Sequence, residues 1–155
     1  MALRLSTGLR NNMLSEASFQ DTMANGVLYI YSGTQPSDPD AAASGTLLLK
    51  VTVASGAFTH GTTTNGLNFG TPSAGTIAKA VAEVWSGVAV ATGTAGWFRF
   101  CANAADSEPS DADTTRRSFD GAISTSGAQL NMSSTAITSG ATTTVDSFSV
   151  TLPAS

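Results

Sequence analysis

Residues 82–102, AEVWSGVAVATGTAGWFRFCA, hold both tryptophans and the single cysteine of this 155-residue chain. Two segments rich in β-branched and aromatic residues, 83–90 and 96–101, flank a loop of Ala, Thr and Gly. This pattern is typical of a β-hairpin. Because one aromatic side chain buries roughly 150–250 Å², the stretch predicts a hairpin at the centre of the hydrophobic core.

Alternation along the second segment separates its large side chains into two sets. Phe98 and Phe100 share one face, and Trp97, Arg99 and Cys101 share the other. The first segment contributes three valines that we expect to help cover the two faces of the hairpin: Val84, Val88 and Val90. Cys101 has mostly apolar neighbours, so we interpret it as a buried, unreactive thiol.

Composition indicates a single, mainly β domain over residues 1–155. A compact chain of this size buries roughly 70% of its unfolded surface. Its charged fraction of 12% and its hydrophobic fraction of 41% argue against disorder. About seven to nine short strands, separated by Gly- and Thr-rich loops, predict an antiparallel β-sandwich or jelly-roll-like fold for residues 26–155.

The strands are predicted from runs of β-branched, aromatic and hydroxyl-bearing residues. Besides the hairpin, these runs cover residues 27–32, 46–54, 66–69, 76–80, 118–124, 129–132 and 142–152. The last run places Phe148, Val150 and Leu152 on one face. A small helix is expected in residues 38–45, where Pro39 suits the first helical position.

Residues 1–25 predict a short N-terminal helical segment. Leu5, Leu9 and Met13 recur at the helical spacing of four residues. Hydroxyl side chains suitable as helix N-caps stand at two places, Ser6 or Thr7 and then Ser18. We therefore expect one broken helix or two short helices.

The apolar start of the chain has two interpretations, which the sequence leaves open. In the first, the helical segment packs on its own sheet, so that Leu5, Leu9 and Met13 belong to the core. In the second, the segment is an arm that binds another subunit and becomes ordered on docking. The candidate partner-binding residues of this second interpretation are Leu3, Arg4, Leu5 and Leu9.

Charge and hydropathy argue against two classes of partner. The net charge is −4, and the largest basic cluster is the pair at positions 116–117, which disfavours nucleic acid. No apolar run approaches the roughly 18 residues of a membrane span, and the N-terminus has no apolar signal-peptide region. We therefore expect a protein that binds neither nucleic acid nor membrane and that is made in the cytoplasm, where it stays soluble or from which it leaves by a route that the sequence does not show.

Catalytic chemistry has few candidates in this sequence. His60 is the only histidine, and we interpret it as a surface-loop residue. No GxSxG motif occurs, and one His with one Cys is too few for a metal site of nitrogen and thiolate ligands. Glu83 and Arg99 can form a cross-strand ion pair if the register and face of the hairpin allow it, but they have no partner for catalysis. We therefore predict no enzymatic activity and no cofactor.

Residues 106–113 contain four carboxylates in eight positions. Such a cluster can supply oxygen ligands to Ca²⁺, but its spacing differs from that of an EF-hand loop. Arg116 and Arg117 also follow closely and can neutralise part of the charge. We therefore predict a solvated loop and no metal site.

Five segments of the chain carry a family resemblance. They are residues 3–11 (LRLSTGLRN), 25–48 (NGVLYIYSGTQPSDPDAAASGTLL), 66–69 (GLNF), 82–100 (AEVWSGVAVATGTAGWFRF) and 142–154 (TTTVDSFSVTLPA). In this order they resemble a group of small structural proteins from tailed bacteriophages. The resemblance implies a virion component, assembled in the host bacterial cytoplasm, and it carries over no catalytic residue.

Three functional expectations follow. The leading one is a capsid decoration or cement protein that binds and stabilises the assembled head. Its partners would be the major capsid protein or other virion proteins and copies of itself, with a trimer favoured. The alternatives are a tail or head–tail accessory protein and, because jelly-roll sandwiches include lectins, a receptor- or carbohydrate-binding module.

Overall fold

The computed structural model describes residues 3–104 and 109–152. These residues form two short helices, α1 (Thr7–Ser15) and α2 (Phe19–Met23), and eleven strands. The strands are β1 (Arg4–Leu5), β2 (Val27–Ser32), β3 (Leu47–Val53), β4 (Thr76–Ala78), β5 (Trp85–Val88), β6 (Gly93–Cys101), β7 (Ser118–Ser124), β8 (Leu130–Asn131), β9 (Ala136–Ile137), β10 (Thr142–Val145) and β11 (Ser149–Thr151). The prediction of a mainly β fold with a short N-terminal helical segment is confirmed.

The strands form one large sheet and one small sheet. The large sheet has nine strands, in the order β1-β7-β6-β2-β3-β5-β10, with β8 beside β7 and β9 beside β6. β7 and β8 run parallel, and the other neighbours along this order are antiparallel. β4 and β11 form the small antiparallel sheet, which packs with both helices on one face of the large sheet. The layering is sandwich-like.

The main core fills the space between these layers. Phe98 and Phe100 of β6 are fully buried there, and Phe100 stacks on Phe119 of β7 with ring centroids 5.2 Å apart. Phe148, next to β11, meets Phe98 edge-on with ring centroids 5.2 Å apart. Leu9 of α1 is fully buried in the same cluster. Aromatic contacts therefore connect the two sheets, and α1 packs against them.

A second apolar cluster lies on the opposite face of the large sheet. Its buried members are Val27, Tyr29, Tyr31, Phe58, Trp97 and Cys101. Tyr31 of β2 stacks on Trp97 of β6 with ring centroids 4.6 Å apart. The predicted separation of the β6 side chains is confirmed, because the phenylalanines face the main core and Trp97 and Cys101 face the second cluster.

Cys101 is fully buried, as its neighbours in the sequence predict. We expect Cys101→Ser to lower the free energy of unfolding by about 1–3 kcal/mol, because a hydroxyl then replaces a thiol in an apolar site. Urea unfolding of the two proteins measures this loss. The folded wild-type protein should also react with a thiol reagent far more slowly than the urea-unfolded protein. Equal rates in the two states would contradict the burial.

The hairpin predicted for residues 82–102 is wrong. Its two segments do form strands, β5 and β6, but β2 and β3 lie between them in the sheet. β6 pairs with β2 and β7, whereas β5 pairs with β3 and β10. The separation of β5 from β6 is three strand spacings, about 14 Å. Residues 89–92, which join the two strands, are long enough in extended form to cross that distance.

The closing strand predicted for residues 142–152 is broken in two. β10 joins the large sheet beside β5, whereas β11 pairs with β4 in the small sheet. The chain changes direction between them, so Val145 and Phe148 are both buried, although a continuous strand would place them on opposite faces. Val150 is buried as well, but Leu152 is 41% exposed.

Two smaller predictions also differ from the structure. Residues 38–45 form a turn in place of the expected helix, and the Asp38 carboxylate accepts a hydrogen bond from the backbone N of Asp40 at 2.9 Å. Asp side chains favour turns through this local bond. In place of a strand, residues 66–69 make two isolated β-bridges, Gly26 with Leu67 and Phe69 with Lys79.

The two short N-terminal helices are confirmed, and a serine caps each of them. Ser6 Oγ accepts a hydrogen bond from Leu9 N at 3.2 Å, and Ser18 Oγ accepts one from Asp21 N at 3.1 Å. Ahead of α1 the structure adds β1, which pairs with β7. The N-terminal segment is therefore part of the large sheet as well as packed against the core. Neither described helix is long and apolar enough to span a membrane.

Candidate functional site

The candidate partner-binding residues of the N-terminal segment lie in different environments. Leu9 is fully buried in the main core. Leu3 and Leu5 are partly buried and pack against that core. Arg4 is half-buried, and its Nη1 donates a hydrogen bond to the carbonyl oxygen of Pro36. In this fold Leu9 offers no surface to a partner, whereas Leu3 and Leu5 remain partly accessible.

Ser6 fixes this segment to the start of β7. Its backbone N donates to Ser118 O at 2.9 Å, and its hydroxyl donates to Arg116 O at 2.6 Å. Ser118 N in turn donates to the same hydroxyl at 3.0 Å. The next turn packs closely, because a Cβ at Gly8 would lie 2.2 Å from the carbonyl oxygen of Thr115. The start of the chain is thus held by specific contacts.

A buried ion pair lies on the face of the large sheet opposite the main core. Arg99 of β6 and Asp120 of β7 are directly opposite each other, and both are fully buried. Nε and Nη2 of Arg99 donate to the two carboxylate oxygens of Asp120, each at 2.7 Å. The predicted ion pair between Arg99 and Glu83 is wrong, because β5 and β6 are not neighbours.

Glu83 instead organises the start of β5. Its carboxylate accepts hydrogen bonds from Trp85 Nε1 at 2.8 Å, Asn68 Nδ2 at 2.8 Å and Asn68 N at 2.9 Å. These bonds satisfy the indole of a fully buried tryptophan. They also connect residues 66–69 to β5, so Glu83 has a structural role.

Burial and the attraction between the two charges shift the pKa values of Arg99 and Asp120 in opposite directions. Burial by itself lowers the pKa of Arg99, but the hydrogen bonds and the charge of Asp120 raise that pKa above its ordinary value. Burial raises the pKa of Asp120, and the Arg99 guanidinium opposes this rise. Because each Asp120 oxygen accepts a hydrogen bond from Arg99, the pair is ionised.

Three arginines donate hydrogen bonds to main-chain carbonyl oxygens of the turn at residues 36–43. The pairs are Arg4 with Pro36, Arg99 with Ala41 at 2.8 Å, and Arg116 with Asp40 at 3.3 Å. The Asp40 carboxylate accepts a hydrogen bond from Thr7 N at 2.9 Å, at the start of α1. The charged groups of this cluster therefore connect the turn, the sheet and the first helix.

His60 is not the surface-loop residue that the sequence suggests, since it is only 9% exposed. Its Nε2 lies 3.0 Å from the hydroxyl oxygen of Tyr29, and the Phe58 ring meets it edge-on with centroids 5.1 Å apart. Phe58 and Tyr29 belong to the second apolar cluster. The loop is thus folded onto the sheet, and His60 has a packing role.

The acidic loop of residues 106–113 lies partly outside the described residues. Asp106 and Glu108 belong to the segment that the structure does not describe. Asp113 accepts hydrogen bonds from the Thr115 hydroxyl and backbone N, both at 2.7 Å, and these bonds lower the pKa of Asp113. Within residues 3–104 and 109–152, no group of three or more His, Cys, Asp and Glu side chains is arranged to hold a metal ion.

Every aromatic side chain of the chain is buried, with less than a tenth of its surface exposed. One polar depression of about 380 Å³ lies near β4 and β8. Lys79, Asn131 and Asp146 are among the residues that line it. It offers hydrogen-bonding groups to a ligand but no exposed aromatic ring for stacking.

The exposed large apolar side chains are concentrated beside one strand. Val84, Val88 and Val90, on or next to β5, are 56%, 50% and 65% exposed, whereas the intervening Trp85 is fully buried. We call these three residues the valine strip. The prediction that they help to cover the faces of a hairpin of β5 and β6 is wrong, because these two strands are not neighbours. The second apolar cluster covers β2 and β6, and β5 lies beyond it, next to the end of the sheet.

No protein-family model, curated protein or solved structure matches this chain. The fold and the burial of its side chains define the class of protein. This is a mainly β protein whose aromatic side chains and buried charged side chains stabilise the fold, with an exposed apolar strip near one end of its large sheet. The candidate functional site is therefore this exposed surface.

Proposed function

We propose that this chain is a structural component of a tailed-phage virion. Its role is that of a capsid decoration or cement protein, which binds the assembled head and stabilises it. It acts with copies of itself and with the major capsid protein, and it catalyses no reaction. It is assembled in the host bacterial cytoplasm and functions in the particle.

The observation that carries this proposal is the position in the fold of the segments that resemble phage structural proteins. All five segments supply strands or bridges: β1, β2, β5, β10 and β11, part of β3, most of β6, and the bridging residues Leu67 and Phe69. Residues in these strands and bridges build the core and pair the strands with one another. A likeness at such positions supports a shared architecture and a structural role, not a shared catalytic site.

The placement of charge supports the same role. Only 12% of the residues are charged, and Arg99, Arg116 and Asp120 are buried inside the fold. The remaining surface is rich in hydroxyl and small side chains. The cores of protein–protein interfaces are depleted in charged residues, so such a surface suits repeated contacts with neighbouring subunits.

A carbohydrate-binding module is the second candidate, and the polar depression near β4 and β8 is the observation that favours it. Lys79, Asn131 and Asp146 can hydrogen-bond the hydroxyl groups of a sugar. Stacking on a ring would need an exposed aromatic side chain, and all of them are buried. The virion role therefore has the stronger support. A tail or head–tail accessory role differs from the capsid decoration role only in the part of the virion to which the protein binds.

Location in the virion tests the proposal. Antibodies raised against the purified chain should label heads at repeating positions in electron micrographs of virions produced from the genome that encodes it. Labels confined to the tail would favour the accessory role. A chain that is missing from the proteins of purified virions would overturn both virion roles.

A cement role also has a thermal consequence. Heads that lack this chain should release their DNA at a lower temperature than complete heads. Adding the purified protein should restore the higher temperature in a saturable manner, because a ligand that binds the intact shell stabilises it by mass action. Heat-denatured protein is the control. Equal release temperatures with and without the chain would show that it does not stabilise the head.

A further inference from the structure

The two ends of the large sheet are protected to different extents. β1, at one end, is two residues long and carries Arg4. Short length and charge are the usual ways in which edge strands avoid pairing with other chains. β10, at the other end, has four residues, none of them charged and none of them proline. Among the described residues, no further strand pairs with its outer edge. β10 therefore presents an edge that can accept another strand.

The valine strip lies directly beside this edge. Thr142 of β10 is opposite Val88 of β5, and Thr144 is opposite Ser86. These side chains therefore share the face of the large sheet that points away from the main core. Thr142 and Thr144 are exposed. Edge and strip together form one surface of Val and Thr side chains.

We propose that β10 is the edge through which two copies of this chain associate. β10 of one copy pairs antiparallel with β10 of the second about a two-fold axis, so both copies use the same surface. The large sheet then continues from one copy into the next by strand addition. This inference rests on the proposed function in one respect, since both involve contacts between copies.

A second copy suits this surface because nothing on β10 repels it. The facing side chains are threonines, and β-branched residues pack well across strands. Asp146, the first charged residue after β10, is exposed. In an antiparallel pair the two Asp146 side chains lie at opposite ends of the contact, so their charges stay apart. A separate depression beside the valine strip is lined by Lys50 as well as by Val88 and Val90, and Lys50 Nζ donates a hydrogen bond to Phe58 O at 3.4 Å.

The size of the surface makes this a weak contact. A four-residue strand with three half-exposed valines is small beside the roughly 800 Å² per partner that a stable complex buries. Association therefore requires a high protein concentration, such as that of subunits arrayed on a particle. The two-fold geometry favours pairs of subunits over the trimer expected from the sequence.

Sedimentation equilibrium across a range of protein concentrations tests the pairing. Thr144→Lys and Thr144→Glu each bring like charges together on the shared face, and each should weaken dimerisation by roughly tenfold or more. Mixing the two variants opposes unlike charges and should restore association. Leu14→Lys is the matched control, because Leu14 lies on α1 and is 87% exposed. It should dimerise like the wild type.

Two outcomes overturn the inference: a wild-type chain that stays monomeric at every concentration, and a Thr144→Lys variant that dimerises normally. If the Thr144 variants do not fold, amide exchange of the wild type decides. Protection should rise with concentration in β10 but not in β1, and equal behaviour of the two edges contradicts the pairing. Failure here leaves the virion role standing, because that role fails only when the chain is missing from virions or does not stabilise them.

Discussion

Asp120→Ala is expected to lower the free energy of unfolding by about 3–5 kcal/mol. This is a large share of the roughly 5–15 kcal/mol that stabilises a domain. In the wild type, Arg99 and Asp120 are fully buried and joined by two hydrogen bonds of 2.7 Å. Without the carboxylate, the Arg99 guanidinium stays buried with the carbonyl oxygen of Ala41 as its remaining acceptor. A buried charge without a counter-ion is strongly unfavourable. Urea unfolding followed by tryptophan fluorescence measures the loss.

Removing both charges should restore much of this stability. Apolar replacement of a buried ion pair is often neutral or stabilising, so the double variant Arg99→Met/Asp120→Leu should unfold at a higher urea concentration than Asp120→Ala. Asp146→Ala is the matched control, since Asp146 is exposed, and it should change stability by no more than about 0.5 kcal/mol. If Asp120→Ala costs less than about 1 kcal/mol, the buried pair contributes little and this account is wrong.

Two local patterns in the sequence, strand alternation and helix caps, predict local structure correctly. Alternation assigns Phe98 and Phe100 to one face of β6 and Trp97 and Cys101 to the other, and the structure agrees. The reason is that successive side chains of an extended strand point to opposite sides whatever its neighbours are. The serine caps of α1 and α2 are equally local, because a cap bonds the backbone within three residues.

Strand neighbours do not follow from the same patterns. Backbone hydrogen bonds between strands form with almost any side chains, so two adjacent strand-like segments resemble a hairpin even when other strands separate them. Residues 82–102 are such a case. The partner of Arg99 is Asp120, 21 residues along the chain, and no local spacing distinguishes it from Glu83. The burial of His60 is hidden from the sequence for the same reason, because distant Tyr29 covers it as well as nearby Phe58.

The candidate surface is hidden from the sequence by topology. Val84, Val88 and Val90 have the apolar character of core residues, and a central position for β5 would bury them. β5 is instead the second strand from the end of the sheet. Apolar residues are not all buried, and a group of them exposed together marks a contact surface. The one sequence signal for this edge is the run Thr142–Val145, a strand without charge or proline.

Removal of residues 1–9 is expected to abolish cooperative unfolding. The deletion removes the fully buried Leu9 and the three hydrogen bonds of Ser6 to residues 116 and 118. It also removes β1 and so leaves Phe119 and Asp120 of β7 without a strand partner on that edge. Loss of a single buried leucine side chain typically costs about 2–5 kcal/mol, so the combined loss approaches the whole stability of a domain. This result would support the interpretation in which the helical segment packs on its own sheet.

Substitutions at two leucines of α1 distinguish a segment that packs in the core from an arm that binds a partner. Leu9 is fully buried, whereas Leu14 is 87% exposed. Leu9→Ala should lower the free energy of unfolding by about 2–5 kcal/mol, and Leu14→Ala should change it by no more than about 0.5 kcal/mol. If the segment is instead an arm that binds a partner, the chain without residues 1–9 and the Leu9→Ala variant should both keep a sharp urea transition. Both should then lose binding to phage heads. A Leu9→Ala variant that is destabilised but still binds heads when folded would place Leu9 in the core and restrict partner binding to Leu3, Arg4 and Leu5.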